Sequence, residues 1–152
     1  VYVSGGVMSN DLGLPDIGLT TLDQVSYRSN QIARVTDIPT IVDIDTGFGG
    51  AFSIGRTIKE MINADVAAVH IEDQVTQKRC GHRPNKSLVD KIEMGDRIKA
   101  AVDGRTDESF FIMARTDAYA TEGMDGAIDR CNEYIEAGAD GLFLEAVSKL
   151  DD

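Results

Sequence analysis

Nine consecutive residues, Lys78-Arg79-Cys80-Gly81-His82-Arg83-Pro84-Asn85-Lys86, gather a thiol, an imidazole and four fixed cations in a chain whose totals are 26 acidic and 15 basic side chains. Gly81 and Pro84 suit a loop rather than a helix or a central strand, and a loop with this content is fitted to close over a small anion. Cys80 stands two residues before His82 and is flanked by Lys78, Arg79 and Arg83, surroundings that stabilise a thiolate. Such a thiol can act as nucleophile or as acid and base, and the residues alone leave that choice open. Cys-x-His is also half of a zinc pattern, but no second Cys/His pair exists to complete four ligands.

Asp43 and Asp45 stand two apart at the end of an apolar run, so that on a strand both carboxylates point to one side. Crowded carboxylates repel unless a cation or protons sit between them. Asp-x-Asp by itself is often merely solvated; with Glu72 at the end of the next run it makes a hard oxygen site suited to Mg2+, or to Mn2+. His70 alternates in phase with Glu72 and reads as a further ligand or as a hydrogen-bonded structural histidine. Arg115 closes another apolar run, where a guanidinium without a partner is costly, so a substrate carboxylate, Glu72 or Asp117 must meet it.

Five apolar runs, 1–4, 40–45, 66–72, 110–116 and 141–145, read as strands, and most lack strict polar alternation, which implies burial on both faces. Helical patterns lie between them. One covers 21–35, capped by Thr20 or Thr21 with Leu22, Val25 and Ile32 inward, and one covers 51–64 with Ile54, Ile58, Met61 and Ile62. A third covers 87–102, with Ser87 as cap and Ile92, Ile98 and Ala101 inward. A fourth covers 124–137 and ends at Gly138. Such alternation predicts a parallel α/β fold, an open doubly wound sheet or a (β/α)8 barrel. Each run ends in polar groups: Ser4; Asp43 and Asp45; His70, Glu72 and Asp73; Arg115 and Asp117; Glu145. That is the end where parallel α/β folds place their chemistry. No Gly-x-Gly-x-x-Gly follows the first run, and Thr46-Gly47-Phe48-Gly49-Gly50 reads as a plain loop, so the barrel is preferred. A barrel needs about 250 residues and eight strands; we therefore expect residues 1–152 to be one partial catalytic barrel domain.

The net charge of −11, with 42% apolar and 27% charged residues, describes a soluble domain that attracts neither nucleic acid nor anionic membrane. No run approaches the roughly 20 apolar residues of a membrane span and no leader pattern opens the chain, so a cytoplasmic location is expected. The two cysteines are too few for a disulfide scaffold. Cys131 shares a helical face with Ala127, Ile128, Tyr134 and Ile135, which marks it as a packing residue. Lys86, Lys91 and Lys99 read as solvated. The first residue is Val and the chain opens in a strand, which suggests a piece of something longer.

The motifs together resemble the isocitrate lyase/phosphoenolpyruvate mutase superfamily, and within it the branch that cleaves 2-methylisocitrate. The resemblance rests on Tyr2-Val3-Ser4-Gly5-Gly6, Leu12-Gly13-Leu14-Pro15-Asp16, Val42-Asp43-Ile44-Asp45-Thr46-Gly47-Phe48-Gly49, His70-Ile71-Glu72-Asp73-Gln74, residues 78 to 86, Met113-Ala114-Arg115-Thr116-Asp117 and Glu145-Ala146. Cys80 marks the lyases, and Arg83-Pro84-Asn85-Lys86 the methylisocitrate branch. It implies a TIM-type barrel, here about strands two to five, and Mg2+-dependent retro-aldol cleavage of 2-methylisocitrate, a small tricarboxylate, to pyruvate and succinate in propionate catabolism. It implies that Asp43, Asp45 and Glu72 hold the metal. Ser4, Gly5 and Gly6, helped by Arg115, bind the 2-oxo-acid carboxylate, Glu145 lies near the metal and substrate, and Asp16 orders the site. Lys78, Gly81 and His82 belong to a closing loop on which Cys80 is the general acid; Tyr2 is our candidate for the base. A homotetramer is implied for the full-length protein. The alternatives are another lyase of the superfamily, acting on isocitrate, dimethylmalate or oxaloacetate, and a barrel fragment without activity.

Overall fold

In the computed structural model, residues 1–149 are described. Every apolar run forms a strand: β1 (Tyr2–Val3), β2 (Ile41–Asp43), β3 (Ala68–Glu72), β4 (Phe111–Thr116) and β5 (Gly141–Leu144). The helices are α1 (Gly5–Asp11), α2 (Leu22–Ala33), α3 (Ala51–Asn63), α4 (Lys91–Gly104) and α5 (Tyr119–Glu136). The sheet runs β1-β2-β3-β4-β5, each strand parallel to its neighbour, with Val42 beside Val69, Val69 beside Ile112 and Ala114 beside Leu142. A doubly wound sheet reverses its order at a switch point; this one winds in a single direction, as a barrel does. Five consecutive strands are present, where the resemblance counted about strands two to five.

Strand pleat sorts the residues into two populations. Val42, Val69, Ile71, Ile112 and Ala114 are buried in one core with Ile54, Ile58 and Met61 of α3, Met94, Ile98 and Ala101 of α4, and Tyr134 of α5. The alternate positions, Asp43, His70, Glu72, Arg115 and Phe143, belong to the opposite face. The helices cover only the first face; on the second, Tyr2 and Phe111 are exposed and Met113 and Phe143 half-buried, so burial on both faces, which the continuous apolar runs implied, holds only at the polar strand ends.

Several local expectations are corrected. The chain after Ser4 turns directly into α1, a helix that its Gly-Gly start concealed; the Ser4 hydroxyl caps it by accepting from Val7 N–H at 3.4 Å. Helix α4 begins at Lys91, because Asp90 accepts from Ile92 N–H at 2.8 Å. Ser87 instead accepts a ladder bond from Val75 N–H, and Ile92 is exposed. Helix α5 is two helical pieces broken at Gly123, whose φ of 74° and ψ of −175° are not helical; the piece from Met124 onward is the one its pattern predicts, and a short turn from Tyr119 precedes it. On it Cys131, Ala127 and Tyr134 pack inward, while Ile128 and Ile135 face out. Thr21 caps α2 in a reciprocal box with Gln24, as its sequence predicts.

Helices α3 and α4 approach so closely at Gly55 and Gly104 that a Cβ added to Gly104 would lie 2.6 Å from the Gly55 carbonyl oxygen, whereas one added to Gly55 would meet nothing nearer than 3.5 Å. Gly104→Ala should therefore cost about 1–3 kcal/mol through overpacking, while Gly55→Ala should be neutral or gain up to about 1 kcal/mol from helix propensity. Urea unfolding of the two variants checks this, and equal effects would discard the close-approach explanation.

Candidate active site

Asp43 ends β2, but Asp45 lies beyond the strand in a left-handed turn at φ 48°. The pleat argument for a shared side therefore fails for Asp45. A local bond replaces it: Asp45 N–H donates to Asp43 Oδ1 at 3.0 Å, which folds the second carboxylate back beside the first. With Glu72, the last residue of β3, the three acids offer ligand oxygens all within 4.8 Å of one another, and all three residues are buried. Gly5 N–H holds Asp43 Oδ2 at 3.2 Å, and Thr20 Oγ1 donates to Asp45 Oδ2 at 3.3 Å. Neither oxygen of Glu72 receives a hydrogen bond among the described residues, and its nearest cation is Arg115 Nη1 at 3.3 Å.

The charges around this triad do not balance. Asp16, Asp43, Asp45, Glu72, Asp117 and Glu145 face Lys78, Lys86 and Arg115. Lys78 Nζ bridges Asp45 Oδ1 at 2.5 Å and Asp16 Oδ1 at 2.8 Å. Burial pulls the Lys78 ammonium down, but Glu72, Asp45 and Asp43 outweigh it and hold the group well above the ordinary lysine range. Burial also works against an ionised Asp43, yet His70, Lys78, Arg115 and the Asp45 N–H bring it below the usual carboxylate value. Since burial keeps the His70 imidazole itself neutral, we assign that effect to the two fixed cations. Asp45 is pushed up by burial and by the charge of Asp43. Glu72 is pushed far up by burial, against Arg115 and Lys78. Three carboxylates so close cannot all ionise unaided, and an orphaned buried carboxylate beside two more is what a hard divalent cation would satisfy. The residues fit Mg2+ or Mn2+. His70 stands outside this group of three acids: its Nε2 pairs with the Tyr2 hydroxyl at 3.0 Å, and its Nδ1 lies 3.8 Å from Asp43 Oδ1.

Arg115 is shared by Asp117 (Nε to Oδ2, 3.1 Å), Glu72 (3.3 Å) and Glu145 (3.4 Å), with the Phe143 ring 5.7 Å from its guanidinium carbon. Burial opposes its charge, but Glu72, Asp117 and Asp43 hold the guanidinium above its ordinary value. A cavity of about 400 Å3 opens over this group, lined by Tyr2, Ser4, Gly6, Asp16, Asp43, Lys78, Cys80, Gly81, His82, Arg115 and Glu145, with Phe143 and Leu144 on its apolar side. Of the candidate residues only Gly5, Asp45 and Glu72 lie outside this lining, in the layer of the acid triad beneath it. A larger cavity, about 670 Å3, lies on the other side of the loop between Arg79, Arg83 and residues of α1, and touches the site only through Gly6, Asp16 and Cys80. The loop tip is pressed down: a Cβ on Gly81 would fall onto Arg115 Nη2 and lie 2.7 Å from Glu145. His82 is largely exposed, with Nε2 3.5 Å from Glu145 Oε1. Lys86 contradicts its solvated reading. It is buried, donating to the Gly81 carbonyl at 2.6 Å and to Asp117 Oδ1 at 2.8 Å. Lys91 and Lys99 make the expected surface pairs, with Asp129 and Asp96.

A family model described as phosphoenolpyruvate phosphomutase matches residues 1–152. The chain belongs to this family. It is 58% identical over 152 residues to a 2-methylisocitrate lyase of Shewanella oneidensis, an alignment covering 99% of this chain and 52% of that protein. The crystal structure of a 2,3-dimethylmalate lyase, 37% identical, superposes with a TM-score of 0.94 over 99% of this chain and 51% of the other. A phosphonopyruvate hydrolase in complex with oxalate and Mg2+, 29% identical, gives 0.87 over 99% and 52%. The chain thus spans about half the length of the relatives it matches. Its one-way parallel sheet is the matching part of the TIM barrel of the phosphomutase family.

Because folding raises the Glu72 carboxyl, the metal-free folded chain holds a proton that the unfolded chain releases. Stability should therefore fall as pH rises from the ordinary value of 4.5 through the raised one, by at most about 1.4 kcal/mol per pH unit for this group. Glu72→Gln should remove that component, seen as a flatter urea-midpoint profile in chelator, and should weaken Mg2+ binding at least about tenfold by calorimetry. Profiles of equal slope would show that Glu72 is ionised in the metal-free fold.

Proposed function

We propose that this domain contributes the metal and thiol half of a lyase site that cleaves 2-methylisocitrate to pyruvate and succinate. The observation that carries the reading is the joining, around one cavity, of a cation-deficient acid triad, the shared Arg115 and the Cys80 thiol. Identity of 58% to the 2-methylisocitrate lyase of Shewanella oneidensis, against 47% to a 2,3-dimethylmalate lyase of Eubacterium barkeri, favours the tricarboxylate over the dimethylated dicarboxylate.

Asp43, Asp45 and Glu72 would hold Mg2+, which would supply Lewis acidity toward the substrate hydroxyl; the phosphonopyruvate hydrolase complex with oxalate and Mg2+ supports that choice of metal. Ser4, Gly5 and Gly6 meet the carboxylate of the future 2-oxo acid, and Arg115, fixed by three carboxylates, faces the same anion. Asp16 and Glu145 order Lys78 and His82 above it. Tyr2 receives the hydroxyl proton. Burial and the charge of Asp43 hold its phenol protonated, so the step passes Tyr2's own proton to the acceptor within reach, His70 Nε2 at 3.0 Å. The C2–C3 bond then breaks, its electron pair moves into the adjoining carboxylate, and the Cys80 S–H delivers a proton to C3, leaving succinate. The loop carrying Lys78, Gly81 and His82 excludes the water that would otherwise compete for the carbanion. We carry over from the resemblance a cytoplasmic homotetramer for the whole protein. No helix among the described residues is long and apolar enough to cross a membrane, and the almost fully exposed Phe52 gives an assembly apolar surface to cover.

Pyruvate release from 2-methylisocitrate, lost with chelator and restored by Mg2+, is the expected result. Glyoxylate from isocitrate as the main product would move the assignment to another lyase of the family. Cys80→Ala should lower kcat by about 10^2 or more with Mg2+ affinity intact, and normal turnover would remove the thiol from the mechanism.

A further inference from the structure

We propose that Gln74 and Lys86 are positioning residues that fix the Cys80 thiol by gripping the backbone on either side of it; the proposal rests on the reading of Cys80 as proton donor. Gln74 is fully buried, and its side chain binds both polar groups of Arg79. Arg79 N–H donates to Oε1 at 3.0 Å, and Nε2 donates to the Arg79 carbonyl at 2.9 Å. On the other side of the thiol, Lys86 Nζ donates to the Gly81 carbonyl at 2.6 Å. Neither residue lines the cavity, so neither reaches the place where bonds change.

Both grips are anchored outside the loop. The Gln74 carbonyl accepts from Arg97 Nη1 of α4 at 2.9 Å, and Lys86 is tied to Asp117 beyond β4 at 2.8 Å. Below them the loop ends are joined by Val75 N–H to the Ser87 carbonyl at 2.9 Å. With residues 79 and 81 both held, the backbone at residue 80 has little freedom, and the thiol keeps only its own rotation. The residue types suit the task. An amide offers one peptide a donor and an acceptor together, and a lysine supplies several donors from one atom, enough for a carbonyl and a carboxylate.

The test alkylates the metal-loaded intact protein with iodoacetamide and reads Cys80 and Cys131 separately by peptide mass spectrometry, with rates extrapolated to full thiolate to remove differences in acidity. In Gln74→Met and in Lys86→Met, Cys80 should react about tenfold faster, as expected for losing one or two hydrogen bonds, while buried Cys131 keeps its rate. The kcat should fall by a similar factor with KM and Mg2+ affinity held. Gln74→Glu, which keeps the acceptor and loses the donor, should lie between. An unchanged Cys80 rate in either Met variant overturns the two-sided grip, and so does a joint rise of both thiols, which would mean that these side chains hold the fold rather than the loop. Faster Cys80 with unchanged kcat would uphold the grip and remove instead the reading of Cys80 as proton donor.

Discussion

The structure depends on one guanidinium. Arg115 lies buried at the end of β4 among Glu72, Asp117 and Glu145, and it is the only fixed cation in contact with acids from three different strand ends among the described residues. Removing one partner of a buried ionic group leaves an uncompensated charge at a cost of about 3–5 kcal/mol, and here one side chain serves three. Its reach also sets the limit of compensation. Arg115 balances Asp117 through two hydrogen bonds and touches only one edge of Glu72. The negative charge left over collects on the Asp43, Asp45 and Glu72 side, which makes that side a cation site.

Behind this layer stands a second one, built on Asp73. Its carboxylate accepts from the Thr116 hydroxyl at 2.6 Å, the Tyr134 hydroxyl at 2.8 Å and the Asp117 N–H at 3.0 Å, with Arg130 Nη1 at 3.6 Å. Burial raises the Asp73 carboxyl against these donors. Asp73 thereby clamps the end of β4 to that of β3 and ties both to α5, while Arg130 continues outward to the Val89 carbonyl and Glu122. The carboxylate that orients Arg115 and receives Lys86 is thus itself oriented from a helix that never reaches the cavity. A half-satisfied buried network would be worse than an apolar core; here every oxygen of Asp73 has a donor.

What could be read in the sequence, and what could not, follows from the range of the interactions. Strands, the polar end of the sheet and the acid triad follow from local rules of period and residue type, whereas Tyr2, Gly5, Gly6 and Asp16 enter only through the family resemblance; all fourteen candidate residues lie in or directly beneath one cavity. The failures share a cause. Lys86 reads as solvated because a lysine near a helix start usually is; its burial depends on Asp117, 31 positions away. Tyr134 meets Asp73 across 61 positions, and no period in the chain announces it. Gln74 carried one available signal, a polar residue directly after the polar end of a buried strand. Asp45 was placed on the right side for the wrong reason, since a left-handed turn, not the pleat, brings it there.

The Lys78 ammonium explains why the loop and the metal site form one device. It comes from the loop that carries the thiol, yet its partners are Asp45, of the acid triad, and Asp16, at the cavity wall. Lifting the loop would strip Asp45 of its one cation while Asp43 and Glu72 stay put, so opening carries an electrostatic penalty that grows as the mouth dries. A divalent ion on the same acids would reduce that penalty. The acid triad and the thiol-bearing loop are therefore one electrostatic unit: through Lys78, whatever changes the charge on Asp45 also changes how tightly the loop is held.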